Sequence, residues 1–98
     1  MKENLNFFEN LFKIIEKKAK GKDKESYTKL LLKGGKKKIA QKIGEESSEL
    51  IIDYLSGSKK RTIEEASDLI YHLLVLLYSK KINLDDIKKE LNKRQNVR

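Results

Sequence analysis

Cysteine, proline and tryptophan are absent from the 98 residues, which include a single histidine and a single methionine. Without cysteine there is neither a disulfide framework nor a thiolate metal site, a composition in keeping with a reducing cytoplasm. Without proline, breaks in the helical pattern fall to glycine. The longest apolar run, Leu69 to Tyr78, contains His72 and is far short of the ~20 residues a membrane span requires. At the N-terminus Lys2 and Glu3 precede an interrupted apolar pattern, unlike the continuous run of a signal peptide. The expectation is one cytoplasmic domain over residues 1–98, with little core to spare, because a chain of this size buries only about 60 to 70% of its unfolded surface.

Acidic residues are outnumbered, 15 against 23 lysines and arginines, and the imbalance is confined to one half. Residues 1 to 44 hold 13 lysines and 5 acids, whereas residues 45 to 98 hold 10 basic and 10 acidic residues. A basic first half suits an anionic partner. The lysines have little aromatic interleaving, so a nucleic-acid-binding role is not expected.

Apolar periodicity predicts an all-α fold of four to five helices. Leu5, Phe8, Leu11, Phe12 and Ile15 mark a first helix over about 4 to 19, stopped by Gly21. Ser26 is a good N-cap for a short helix over Tyr27 to Lys33, which Gly34-Gly35 breaks. A third helix runs from Lys36 to Leu55, Gly44 weakening it by about 1 kcal/mol relative to alanine. After the turn at Ser56-Gly57-Ser58, Thr62 caps a helix from Ile63 to Ser79, and Asn83 caps a last one from Leu84 to about Lys93. The segment from Leu69 to Tyr78 is apolar nearly all round and must be covered on every side. That predicts a homodimer in which antiparallel helical hairpins form a four-helix-bundle core.

The residues that carry chemistry are two acidic signatures, Glu45-Glu46-Ser47-Ser48-Glu49 and Glu64-Glu65-Ala66-Ser67-Asp68. Carboxylates three apart share one helix face, about 5 to 6 Å between Cβ atoms. At about 100° per residue, Glu46, Glu49 and Asp53 share one stripe, and Glu65, Asp68 and His72 another. A hairpin folded near Lys59 sets Asp68 level with Glu49, Glu46 with His72 and Glu65 with Asp53, to within a turn. Unpaired charges beside Leu50, Ile51, Leu69 and Leu73 require cations, and hard oxygen ligands point to Mg²⁺ or Mn²⁺. Glu65 also follows Thr62 at capping-box spacing, so it could serve the helix start instead. His72 reads as a hydrogen-bonded core residue or a ligand, and the role of Asp53 is open. Gly34-Gly35-Lys36-Lys37-Lys38 lacks Walker spacing, and reads either as solvated surface or as a phosphoryl-binding helix start.

Glu46-x-x-Glu49 and Glu65-x-x-Asp68 resemble the signature of the all-α, MazG-like nucleoside triphosphate pyrophosphohydrolases. Ser26-Tyr27-Thr28, Lys33-Gly34, the run from Lys38 to Glu46, the run from Glu64 to Leu77 and Leu84-Asp85-Asp86-Ile87 resemble, more specifically, the phosphoribosyl-ATP pyrophosphohydrolases. The resemblance implies Mg²⁺-dependent hydrolysis of 1-(5-phosphoribosyl)-ATP to 1-(5-phosphoribosyl)-AMP and pyrophosphate, the second step of histidine biosynthesis. It also implies metal ligation by Glu46, Glu49, Glu65 and Asp68, with Glu45 or Glu46 accepting the proton of the attacking water. Lys33, Lys36, Lys37, Lys38 and Lys42 are then candidates to hold phosphates, as point charges where the family often carries arginine after Gly34. The alternative is a house-cleaning enzyme of the same fold acting on ordinary or damaged nucleoside triphosphates.

Overall fold

The protein is described by a computed structural model covering residues 6–23 and 25–95. Residues 4 and 5 of the expected first helix, and the tail beyond residue 95, lie outside the described residues. The described chain is all helical: α1 (Phe7–Lys20), α2 (Tyr27–Ser56), α3 (Lys59–Ser79) and α4 (Leu84–Gln95).

α1 carries Glu9 in its first turn and Lys17, Lys18 and Lys20 in its last, the order that the helix dipole favours. It turns Phe12 and Ile15 inward, where they join Leu31, Ile39, Leu74, Val75 and Leu77 in the core. Ser26 caps α2 as its position predicts, its hydroxyl accepting from the Lys29 N–H at 3.3 Å. α2 is not one rod. Gly35 sits at φ 85°, ψ −177°, a conformation essentially closed to residues with a Cβ, and there the helix reverses.

Contacts along α3 trace the reversal. On the arm before Gly35, Tyr27 and Thr28 meet His72 and Tyr71, while Leu32 and Gly35 share a cavity with Tyr78. Beyond Gly35, Ile39 lies with Leu76 and Ser79, and Glu49 reaches Glu65. The first arm therefore runs parallel to α3 and the long arm runs back antiparallel to it. This brings the start of α2 beside the middle of its own long arm.

The long arm and α3 meet at Gly57, whose N–H donates to the Asp53 carbonyl at 2.8 Å. A Cβ on Gly57 would stand 2.6 Å from Asp53 Oδ1 and 2.9 Å from Asp53 Cα, so only glycine fits this approach. Here the structure corrects the expected boundary. α3 starts at Lys59, capped by the Ser58 hydroxyl accepting from the Arg61 N–H at 3.1 Å. Thr62 is already inside the helix and donates its hydroxyl hydrogen to the carbonyls of Ser58 and Asp53.

Candidate active site

Starting α3 one turn early moves the hairpin register by one turn. Arg61, not Glu65, lies opposite Asp53, with Nη2 3.8 Å from Asp53 Oδ2, and Glu65 moves up to face Glu49. Glu46, Glu49 and Glu65 then each offer a carboxylate oxygen within 4.8 Å of the others. Glu46 and Glu65 are buried, 8% and 4% exposed, and Glu49 faces solvent. Glu65 is therefore not a capping residue. Its Oε1 accepts from Arg61 Nη2 at 2.7 Å, and its buried Oε2 has no hydrogen-bond partner.

The neighbouring Glu65 carboxylate, to which Glu49 could donate only when protonated and which repels it when ionised, holds the Glu49 carboxyl above its ordinary value. Glu45 goes the other way. Gln41 Nε2 donates to it at 2.9 Å and Lys42 Nζ stands 3.3 Å away, so its carboxyl is held below the usual range. Lys42 Nζ also stands 3.9 Å from Glu46 Oε1, and the Glu45 hydrogen bond, then Tyr27, hold its ammonium above its ordinary value.

Asp68 lies outside the trio. It is exposed, one turn beyond Glu65 on the same face, and the hairpin register sets it opposite Glu46. Of the candidate lysines, only Lys42 touches the carboxylates. Lys33, Lys36, Lys37 and Lys38 are exposed around the Gly35 reversal. Lys36 borders a cavity of about 580 Å³ with Phe12, Leu32 and Tyr78. At 1.5 Å rise per residue, Lys36 stands roughly 15 Å along the helix from Glu46.

Two functional candidates were not singled out from the sequence. Arg61 binds Glu64 at 2.9 Å and Glu65 at 2.7 Å, closing one end of the acidic row with positive charge. Its spacing, three and four residues before those glutamates, was the signal available. Tyr27 closes the other end, its hydroxyl 2.8 Å from His72 Nε2. His72 is buried and satisfied on both sides, with Nδ1 2.7 Å from the Asp68 carbonyl oxygen. That carbonyl can only accept, so Nδ1 carries the proton and Nε2 accepts from Tyr27.

Can these residues hold a divalent cation? The donor set is all oxygen, which suits Mg²⁺ or Mn²⁺. A carboxylate with a buried oxygen that lacks a hydrogen-bond partner, clustered with two further carboxylates, is an arrangement that a cation would satisfy.

Residues 8–95 match the phosphoribosyl-ATP pyrophosphohydrolase family. The chain is 47% identical over 89 residues to a phosphoribosyl-ATP pyrophosphatase of Sulfolobus acidocaldarius, spanning 91% of this chain and 94% of that protein. It is 46% identical over 90 residues to a phosphoribosyl-ATP pyrophosphatase of Clostridium botulinum, spanning 92% and 82%. A histidine biosynthesis bifunctional protein HisIE of Buchnera aphidicola is 44% identical over 96 residues, which cover 97% of this chain and 46% of that longer protein. With nearly its whole length matched, this chain belongs to the phosphoribosyl-ATP pyrophosphohydrolase family.

Proposed function

We propose that residues 1–98 form a single all-α domain that hydrolyses 1-(5-phosphoribosyl)-ATP to 1-(5-phosphoribosyl)-AMP and pyrophosphate, a step of histidine biosynthesis. The observation that carries this reading is the buried, partnerless Oε2 of Glu65 beside Glu46 and Glu49. Glu46, Glu49, Glu65 and the neighbouring Asp68 would hold Mg²⁺ or Mn²⁺, which when bound neutralises charge on the phosphate oxygens. The chain's own groups do the rest. A water oxygen bonds to the α-phosphorus, the bond to pyrophosphate breaks with its electron pair leaving on oxygen, and the water's proton passes to a carboxylate. Glu46 is the better acceptor. Glu45 is engaged by Gln41 and Lys42 and held in its ionised form, which makes it the weaker base. Lys42 is positioned for the scissile phosphate, while Lys33, Lys36, Lys37 and Lys38 are far enough away to meet only the remote phosphate of an extended substrate.

Pyrophosphate release from phosphoribosyl-ATP, set against ATP, tests the assignment. Strong preference for phosphoribosyl-ATP is expected. Equal turnover of ATP would replace it with the house-cleaning reading.

The same proposal includes a homodimer. Ile51, Ile52, Leu55, Ile63, Ile70 and Leu73 are exposed on the hairpin, Leu55 to 74%. By helical angle, Ile63 and Ile70 lie across α3 from Glu65 and Asp68, and Leu73 flanks them about 80° from Glu65, so covering them leaves the acidic face free. The radius of gyration, 14.9 Å, exceeds the ~13 Å of a compact chain of this length, as a bundle lacking part of its cover would. Leu74 and Leu77, by contrast, are buried within the protomer. Leu55→Asp with Leu73→Asp is expected to dissociate the dimer. A folded 11.4 kDa monomer of the unmodified chain at micromolar concentration, seen by sedimentation, would exclude it.

A further inference from the structure

Among the described residues, Tyr27 combines an anchored hydroxyl with a surface left 47% exposed. It stacks on Tyr71 at 6.0 Å between centroids and 25° between planes, and meets the His72 ring edge-on at 5.7 Å. Its hydroxyl is tied to His72, whose other nitrogen is tied to the Asp68 carbonyl. Tyr71 is tied in turn by its hydroxyl to Thr28 Oγ1. This aromatic surface ends the acidic row on the side of Lys42, since His72 lies one turn beyond Asp68 on the same face of α3. The opposite end of the row is taken by Arg61, already bound to Asp53, Glu64 and Glu65.

We propose that the exposed side of Tyr27 is a stacking platform for the nucleoside base, with His72 as the positioning residue that holds it in place. Given the pyrophosphohydrolase reading, on which the identity of the substrate rests, this orients the substrate. The base and its ribose lie toward Tyr27, and the pyrophosphate to be released lies toward Arg61. A planar ring is the ligand class such a surface accepts, and stacking on it tolerates differences between bases. The tautomer gives His72 its role. With Nδ1–H fixed on Asp68, Nε2 is available only as an acceptor, and the Tyr27 hydroxyl is held in one direction.

Calorimetric titration with AMP and, separately, with inorganic pyrophosphate in Mg²⁺ buffer tests the platform, with circular dichroism to verify folding. Tyr27→Leu keeps bulk but removes the π face, and is expected to weaken AMP about tenfold while leaving pyrophosphate unchanged. Tyr27→Phe and His72→Phe should each weaken AMP by roughly two- to threefold, and the double variant little further, because both break the Tyr27–His72 hydrogen bond, His72→Phe removing the bond to the Asp68 carbonyl as well. A purely structural role would weaken both ligands together. AMP affinity unchanged in Tyr27→Leu, parallel loss of both ligands, or no AMP binding by the unmodified protein would each overturn the platform. If Tyr27→Leu does not fold, the two phenylalanine variants decide in the same way. Tyr27-dependent AMP binding without turnover of phosphoribosyl-ATP would sink the reaction assignment and leave the platform standing.

Discussion

Replacing Glu65 with glutamine should make the metal-free protein more stable and the metal-loaded protein less so. In Glu65, Oε1 accepts from Arg61 while the buried Oε2 has no donor. An unsatisfied buried group of this kind costs about 1 to 3 kcal/mol. Glutamine keeps an oxygen for Arg61 and replaces Oε2 with an amide that can donate to Glu46 or Glu49. What is lost is the charge of the pair with Arg61. That guanidinium is more than half exposed, so solvent screening limits the loss to about 0 to 1 kcal/mol. The net gain is about 1 kcal/mol, which for a domain this size raises Tm by roughly 4 to 8 °C in EDTA. With Mg²⁺ at about a hundred times its Kd, the parent gains about 2.7 kcal/mol by mass action, and the variant loses most of that increment. The two melting curves should exchange order between EDTA and MgCl₂ in calorimetry. A variant that melts lower in EDTA, or that keeps the whole Mg²⁺ increment, refutes the reasoning.

Glu49 sets a pH dependence. Its carboxyl is held above the ordinary 4.5, so the folded metal-free protein binds the extra proton. The stability this contributes is present at low pH and lost as pH rises through the raised value. Glu49→Gln should therefore gain on the parent as pH rises from about 4 to 7 in EDTA, and a constant difference would contradict it. Gly35→Ala should lose about 1 to 3 kcal/mol in urea unfolding through backbone strain alone, since no atom lies within 4 Å of the added Cβ. Gly44→Ala, equally uncrowded but helical, should gain about 0.5 to 1 kcal/mol. Changing Lys36, Lys37 and Lys38 together to glutamine should raise KM for phosphoribosyl-ATP and reduce its salt sensitivity, with a smaller effect on kcat. An unchanged KM assigns the run to solvated surface.

Much of the fold was legible because its signals were local. Ser26 caps a helix, Gly21 follows the end of one, and the Gly34-Gly35 break is realised at Gly35. The start of α3 was misread for an equally local reason. Lys59, Lys60 and Arg61 add no apolar periodicity, so the apolar pattern begins at Ile63 and points to Thr62 as its cap. Ser58 stands one turn earlier and is an equally good cap. In the structure Ser58 caps the helix, and the Thr62 hydroxyl is taken by the Ser58 carbonyl within it and the Asp53 carbonyl across the hairpin. No propensity reports that last bond.

One misplaced turn changes the chemistry more than the fold. Folded at Lys59, the hairpin would pair Glu65 with Asp53 and leave Asp68 opposite Glu49. Folded at Gly57 and Ser58, it delivers Glu65 to Glu46 and Glu49, and places Arg61 where Glu65 was expected. The stripes were legible because a three-residue spacing survives any register. The pairing across helices was not, because it depends on which of two serine or threonine hydroxyls begins α3. The same limit explains Tyr27, which lies 45 positions from His72 and meets it only because Gly35 folds α2 back on itself. The polarity of the site, cation at one end and aromatic ring at the other, therefore arises from two glycine-dependent turns rather than from the acidic motifs. A substitution at Gly35 should accordingly weaken AMP more than pyrophosphate, since it displaces Tyr27 while leaving the Gly57 hairpin that assembles the carboxylates intact.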